Sequence, residues 1–175
     1  MTSQPIADKY SSIRLGNQLC FPLYACAKEV VRLYRKPLEK LGLTYTQYIV
    51  MMIFWEYGGM TEKELGKIVH LDSGTLAPLL KRLEKQGLIT RTRPESNENK
   101  LYIALTEKGE RLKEEALHVP QEMSDCIRLS DEELISLKSL LDKMMAMMDW
   151  LGEHMDEDLT ESQILYAMGD LINPK

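Results

Sequence analysis

Apolar residues recur at intervals of three and four along most of this 175-residue chain, which is the spacing of amphipathic helices. A first long helix is predicted over 13–41, with a kink where Pro22 removes a backbone donor. A second helix is predicted over 47–57, with Thr44 or Thr46 as its cap. Because the second helix is apolar on most faces, we expect it to be buried.

The middle of the chain predicts two further helices separated by a short turn. Thr61 begins the first of them, and Glu64 completes a capping box three residues later. Asp72 or Ser73 caps the next helix, which stops before Gly87. Two helices joined by so tight a turn cross at a large angle, as in a helix-turn-helix.

After Gly87 the periodicity changes from that of a helix to that of a strand. Residues 88–93 and 101–105 predict two short strands, joined by the polar, turn-forming residues 94–100. Helix, turn, helix and hairpin together are the layout of a winged helix-turn-helix. In that layout the second helix enters the major groove of DNA and the hairpin reaches toward the neighbouring minor groove. The same fold also serves as a protein-interaction module, so the pattern favours DNA binding without establishing it.

The remainder of the chain is predicted to be helical. One helix covers 107–117, and Pro120 interrupts it or lies in the following connection. Ser130 and Glu133 form a capping box for a helix that runs to about residue 153, and a last amphipathic segment covers 160–172.

Composition excludes several classes of protein. The chain is 44% hydrophobic and 28% charged, which is typical of a globular protein rather than a disordered one. No apolar stretch approaches the length of a membrane span, and residues 1–14 lack the apolar core of a signal peptide, so we expect a cytoplasmic protein without membrane contact. Three cysteines, an odd number, argue against a secreted disulfide scaffold.

The net charge of −5 argues against a nucleic-acid partner until it is divided along the chain. Residues 61–105 hold eight Lys and Arg against six Asp and Glu, whereas residues 149–175 hold seven acids and one Lys. The acidity therefore belongs mainly to the tail. Hydroxyls at the start of the fourth helix and a basic cluster farther along it and on the hairpin suit phosphates and base edges. The residues expected to contact DNA are Ser73, Thr75, Lys81, Arg82, Lys85, Arg91, Arg93 and Lys100.

Cys20 shares a narrow face of the first predicted helix with Tyr24 and Tyr34, whereas Cys26 lies on another face. Phenol hydroxyls beside a thiol favour the thiolate, which is the nucleophile. Cysteines and tyrosines at helical spacing are, however, usually core residues, and periodicity alone favours that interpretation. The cysteines and histidines show no metal-ligand spacing, and no catalytic or phosphate-binding motif is present, so we expect no metal, no cofactor and no enzymatic activity.

Five segments resemble the MarR family of transcriptional regulators, and more narrowly its organic hydroperoxide resistance branch. They are Cys20 with its two neighbours, residues 41–48 (LGLTYTQY), 71–84 (LDSGTLAPLLKRLE), 87–93 (GLITRTR) and 104–109 (ALTEKG). The resemblance implies a mainly α fold with a small β-hairpin wing, in a homodimer whose N- and C-terminal helices form the interface. The implied domains are a dimerisation helix with a sensor cysteine (1–45), a winged helix-turn-helix (46–106), C-terminal dimerisation helices (107–153) and an acidic extension (154–175).

The function implied by the resemblance is that of a repressor that binds a pseudo-palindromic DNA operator. Cys20 matches the cysteine that an organic hydroperoxide oxidises, and the sulfenic acid that forms would release the operator. Tyr34 and Tyr45 match the tyrosines that hydrogen-bond this thiol from the partner-facing pocket, and Tyr24 matches a tyrosine nearby on the same helix. Cys126 stands where the two-cysteine type of regulator places its resolving cysteine, which implies a disulfide with Cys20 between subunits, although Cys126 can also be incidental.

Two departures from the resemblance affect these expectations. The tip of the wing usually carries Asp-x-Arg, and here residues 97–99 are Asn-Glu-Asn, followed by Lys100, which lacks the planar fork of Arg. The acidic tail extends beyond the usual end of the branch. An alternative function is a repressor of the same fold that a small apolar or phenolic ligand releases, without thiol chemistry, at the dimer interface.

Overall fold

The computed structural model describes residues 10–93 and 100–154. Two short 3-10 helices, Ser11–Ile13 and Leu15–Asn17, come first. The other elements, in chain order, are α1 (Cys20–Glu39), α2 (Tyr45–Tyr57), β1 (Met60–Thr61), α3 (Glu62–Val69), α4 (Ser73–Lys85), β2 (Ile89–Thr92), β3 (Tyr102–Leu105), α5 (Glu107–Glu115), α6 (His118–Ile127) and α7 (Asp131–His154). The chain forms two compact units that divide after Cys126, so that α7 is the described helix of the second unit.

The first long helix begins at Cys20, and the prediction that it begins at residue 13 is wrong. Arg14 and Gln18 have extended backbone, with ψ of 132° and 125°; Arg14 separates the two 3-10 helices from each other, and Gln18 separates the second of them from α1. The predicted kink at Pro22 is absent for the same reason. Pro22 occupies the first turn of α1, where a backbone N–H has no partner within the helix, so its loss costs nothing.

Helix α2 forms as its sequence predicts. The Thr44 side chain accepts from the N–H of Gln47, and the Gln47 side chain accepts from the N–H of Thr44, which together make a reciprocal cap. Val50 and Phe54 on this helix are completely buried, or nearly so. At its end Gly58 adopts a positive φ of 76°, a conformation that favours glycine.

The two helices of the helix-turn-helix are also capped as predicted. Thr61 and Glu64 form the capping box of α3, and the Asp72 carboxylate accepts from the N–H of Thr75 at the start of α4. The turn between them contains His70 in the left-handed conformation, at φ 51° and ψ 41°. This conformation is uncommon for a residue other than glycine. It changes the direction of the chain within the three residues that connect α3 to α4.

The sheet has one strand more than the sequence predicted. β3 lies between β1 and β2 and is antiparallel to both, with Met60 opposite Ile103 and Arg91 opposite the same Ile103. β2 and β3 are the predicted hairpin. β1 has only two residues, too few to produce a recognisable alternation of polar and apolar positions.

One apolar core joins α1 through α6. The largest side chains that are almost completely buried in it are Phe54, Leu38, Met51, Leu65, Leu76, Leu80, Leu83, Ile89, Ile103, Val50 and Val119. Three of these come from α4 and two from the sheet, so the helix-turn-helix and the wing share a single core. Residues 94–99, which include the Asn-Glu-Asn tip of the wing, and the amphipathic segment 160–172 lie outside the described residues.

Candidate functional site

The surface of α4 is divided between an apolar and a basic face. Leu76, Leu80 and Leu83 are buried, and at 100° per residue they fall within about 60° of one another. The basic side chains Lys81, Arg82 and Lys85 are exposed and lie on the opposite side of the helix. A helix anchored by three leucines therefore presents three cations outward, which is the arrangement needed to approach a polyanion.

The first turn of α4 is already occupied by hydrogen bonds within the chain. The Asp72 carboxylate accepts from the N–H of Thr75 at 2.9 Å and from its hydroxyl at 3.0 Å. The hydrogen bonds that Asp72 accepts from Thr75 hold the pKa of this carboxyl below its ordinary value. Of the two hydroxyl residues predicted to contact DNA, Ser73 is exposed, whereas Thr75 already donates its proton to Asp72.

Arg91 points inward, unlike the other basic residues predicted to contact DNA. Its side chain is only 17% exposed, and its Nε donates to Oε2 of Glu84 on α4 at 3.0 Å. Arg93 and Lys100 are exposed. Arg93 follows β2 and Lys100 precedes β3, at the two ends of the described part of the hairpin. The contact with Glu84 was not foreseen, because helical and strand periodicities do not specify which side chains meet across elements.

Cys20 is the first residue of α1, and its side chain is exposed. The N–H groups of a first helical turn lack partners within the helix and attract negative charge, which suits a sulfur that reacts as an anion. Cys26 and Cys126 are also free and exposed. All three thiols are therefore accessible to an oxidant in the single chain.

The rings of Tyr34 and Tyr45 are in contact. Their ring centroids are 4.8 Å apart, and Tyr48 lies 6.0 Å from Tyr34. Burial raises the pKa of Tyr34, and the neighbouring Tyr45 and Tyr48 raise it further; burial also raises the pKa of Tyr48. These hydroxyls therefore stay protonated and available as hydrogen-bond donors. Trp55 extends the cluster, 6.2 Å from Tyr48, with its indole N–H donating to the Gly109 carbonyl.

The tyrosine pair cannot reach Cys20 of its own chain. Tyr34 is fourteen residues after Cys20 on one continuous helix, which places it about 21 Å farther along the axis. Tyr24 is one turn away from Cys20, and its side chain is 64% exposed. The stripe seen on the helical wheel is thus a line along α1 and not a single pocket within one chain.

Cys20 and Cys126 are also too far apart to pair within one chain. Lys40 follows α1 about 30 Å from Cys20, and its Nζ donates to Oε1 of Glu122 on α6 at 2.8 Å. From the Cα of Lys40 to the Cα of Cys126, the path runs through the Lys40 and Glu122 side chains, the hydrogen bond between them and one helical turn. It spans at most about 20 Å. The two cysteine Cα atoms are then separated by about 10 Å or more, whereas a disulfide requires less than about 7 Å.

Large apolar side chains are exposed near both ends of the described chain. At the N-terminal end they are Tyr10, Ile13, Leu15, Leu19, Phe21, Tyr24 and Val31. On α7 they are Ile135, Leu137, Leu140, Met145, Met148 and Leu151. Exposed apolar residues in such number are typical of a surface that another chain covers.

Among residues 10–93 and 100–154, no helix is long and apolar enough to cross a bilayer. Nor does this part of the chain contain a group of three or more His, Cys, Asp or Glu side chains that could hold a metal ion.

Comparison with known proteins gives consistent results. The family model described as transcriptional regulator SarA/Rot matches residues 32–116. The organic hydroperoxide resistance transcriptional regulator of Bacillus subtilis strain 168 is 46% identical over 134 residues, which cover 77% of this chain and 91% of that protein. Two structures of AbfR, a protein of Staphylococcus epidermidis, are similar as well. Reduced AbfR bound to DNA matches at 33% identity and a TM-score of 0.71, over 82% of this chain and 98% of that one. Disulfide-formed AbfR matches at 34% identity and a TM-score of 0.55, over 83% and 97%.

Proposed function

This chain belongs to the MarR family of winged-helix transcriptional regulators, in the organic hydroperoxide resistance branch, and from that premise we propose that it is a DNA-binding repressor released by oxidation of Cys20. It is a transcriptional regulator and not an enzyme.

The outward basic face of α4 supports the role in DNA binding. Lys81, Arg82 and Lys85 are exposed on the helix that a winged helix-turn-helix inserts into the major groove. In a homodimer this face occurs twice, so each copy binds one half of a pseudo-palindrome. AbfR, which shares the fold, has been determined on DNA.

The exposed thiol of Cys20 at the start of α1 supports the sensor role most directly. The Cys20 thiolate attacks the terminal oxygen of the hydroperoxide, and the O–O bond breaks. The sulfur takes the terminal hydroxyl group and becomes a sulfenic acid, and the alkoxide that leaves takes up the proton released by the thiol to become an alcohol. Because Tyr34 and Tyr45 are about 21 Å from Cys20 in one chain, the phenols that donate to the reacting sulfur belong to a second copy. The exposed apolar residues near Cys20 provide a surface for that copy.

Cys126 is the proposed resolving residue. Its thiolate attacks the sulfur of the Cys20 sulfenic acid, the S–O bond breaks, the hydroxide takes up the proton released by the Cys126 thiol and leaves as water, and a disulfide forms. The separation within one chain requires that the two cysteines come from different copies. AbfR, in turn, has been determined with a disulfide.

Operator binding in a gel shift, with and without cumene hydroperoxide, tests the sensor. The wild type is expected to release the operator after oxidation, whereas Cys20→Ser stays bound because serine cannot form a sulfenic acid. Cys26→Ser is the matched control, since Cys26 is also an exposed thiol of α1 but lies on another face. If the Cys20→Ser protein is released as readily as the wild type, the thiol mechanism is wrong and a ligand that acts without thiol chemistry takes its place.

Non-reducing electrophoresis tests the resolving role separately. Oxidised wild type is expected to give a band at twice the mass of the chain, and Cys126→Ser should lack it. A peroxide-induced dimer band that persists in Cys126→Ser would exclude Cys126 as the resolving cysteine.

A further inference from the structure

Arg91 stands apart from the other basic residues of the DNA-facing region because its charge is already paired. Its Nε donates to the Glu84 carboxylate, and the arginine side chain is only 17% exposed. A guanidinium held in this way has one face of its fork occupied and little surface left for a phosphate.

The alternation of β2 independently directs Arg91 away from solvent. Ile89 is almost completely buried, Thr90 and Thr92 are exposed, and Arg91 has intermediate burial. Arg91 therefore lies on the same face of the strand as Ile89, which is the face that packs on the core. Its register opposite the buried Ile103 of β3 agrees with this orientation.

Glu84 has the complementary position on α4. At 100° per residue it falls on the flank of the helix, between the buried leucines and the exposed lysines. The one acidic side chain on α4 therefore lies beside the basic face, and its charge is paired with that of Arg91. The pair also joins the last turn of the recognition helix to the third residue of the first wing strand.

The connection between α4 and β2 consists of residues 86–88 only. Two backbone hydrogen bonds close it, from the Gly87 N–H to the Glu84 carbonyl at 2.8 Å and from the Leu88 N–H to the Leu83 carbonyl at 3.0 Å. The Glu84–Arg91 contact is a further attachment, farther out along the strand. With attachments at the turn and beyond it, the angle between α4 and β2 is fixed at two points.

We infer that Arg91 is a positioning residue, which sets the wing against the recognition helix through Glu84 and does not itself contact DNA. This inference rests on the proposed DNA binding. Arg93 and Lys100 lie beyond this attachment, so the angle that it fixes determines where their charges stand relative to the charges of α4.

Salt-dependent DNA affinity distinguishes a positioning residue from one that contacts phosphate. The probe is a duplex selected on the wild-type protein from a random library of about 30 base pairs, long enough for two half-sites one helical turn apart. Each variant is titrated with this duplex between about 50 and 200 mM salt, and its melting temperature is measured in parallel.

If Arg91 positions the wing, Arg91→Gln and Glu84→Gln each weaken binding roughly tenfold, and the salt slope changes to the same extent in both variants. The double variant is no weaker than either single one, because both remove the same contact. The charge exchange Arg91→Glu with Glu84→Arg recovers affinity to within about threefold of wild type. Arg32→Gln is the control, since Arg32 pairs with Glu29 on the exposed surface of α1 and its loss should leave affinity unchanged.

Two results would overturn the inference. A salt slope that falls by about one in Arg91→Gln, with Glu84→Gln binding as tightly as wild type or more tightly, would make Arg91 a phosphate contact. Lower melting temperatures with wild-type affinity in both variants would make the pair merely structural. A wild-type protein that enriches no duplex from the library refutes the proposed DNA binding itself, which is a distinguishable failure.

Discussion

Replacing Gly109 by alanine should destabilise the protein, although alanine is the better helix former. Gly109 lies in the first turn of α5, where the helix crosses the turn between α4 and β2. A Cβ added there would stand 2.0 Å from the Leu88 carbonyl oxygen and 3.1 Å from Cδ2 of Leu105. The first of these atoms belongs to the backbone and cannot rotate away, so α5 must move by about 1 Å or more to restore ordinary contact.

The size of the effect follows from three opposing contributions. Overpacking costs up to about 3 kcal/mol where the neighbour is rigid. Displacement of α5 also weakens the hydrogen bond from the Trp55 indole to the Gly109 carbonyl, now 2.9 Å long, at a cost of about 1 kcal/mol. The higher helix propensity of alanine offsets about 1 kcal/mol of this loss of stability. With overpacking of about 1–3 kcal/mol, the net loss is about 1–3 kcal/mol, or a melting temperature roughly 2–12 °C lower.

Urea unfolding at one fixed protein concentration measures this loss, with the midpoint and the slope fitted separately. Gly152→Ala is the control, because Gly152 is also in a helix and an added Cβ there meets no described atom within 4 Å. That variant should be as stable as wild type or up to about 1 kcal/mol more stable. If Gly109→Ala unfolds within about 0.5 kcal/mol of wild type, α5 does not approach the turn as closely as described.

Three further substitutions test local features of the fold. Thr61→Ala removes the cap of α3 and should cost about 1 kcal/mol in urea unfolding; an unchanged midpoint would contradict the cap. Lys40→Met removes the hydrogen bond that holds the pKa of Glu122 below its ordinary value near 4.5. Because the pair stabilises the fold above that value and the effect is lost as the pH falls through the lowered pKa, the variant should differ from wild type less at pH 3 than at pH 6; equal differences at both would refute the pairing. His70→Val should be at least about 1 kcal/mol less stable than His70→Gly, because a β-branched residue resists the left-handed conformation, and thermal unfolding of the two in parallel decides this.

Local sequence signals predicted the elements well where a short pattern is sufficient. Thr61 with Glu64 and Asp72 before α4 fixed the helix starts, because a cap needs only residues within one turn. The start of α1 was misjudged because helical spacing continues upstream of Cys20, whereas the backbone there is interrupted by extended residues. The strand β1 was not predicted, because two residues are too few to show an alternation of polar and apolar positions. Its pairing with β3 also depends on residues about forty positions away.

The sequence by itself determined the class of the protein: the order of helices and hairpin, the basic face of α4 and the cysteine at position 20. The tertiary structure decided which of these residues can act together. It placed Tyr34 against Tyr45 but about 21 Å along α1 from Cys20, so that the proposed sensor site needs a second copy. It also placed the Arg91 side chain against Glu84 on α4. Periodicity gives the face on which a side chain lies, but the axial distance and the partner depend on how elements far apart in sequence pack together.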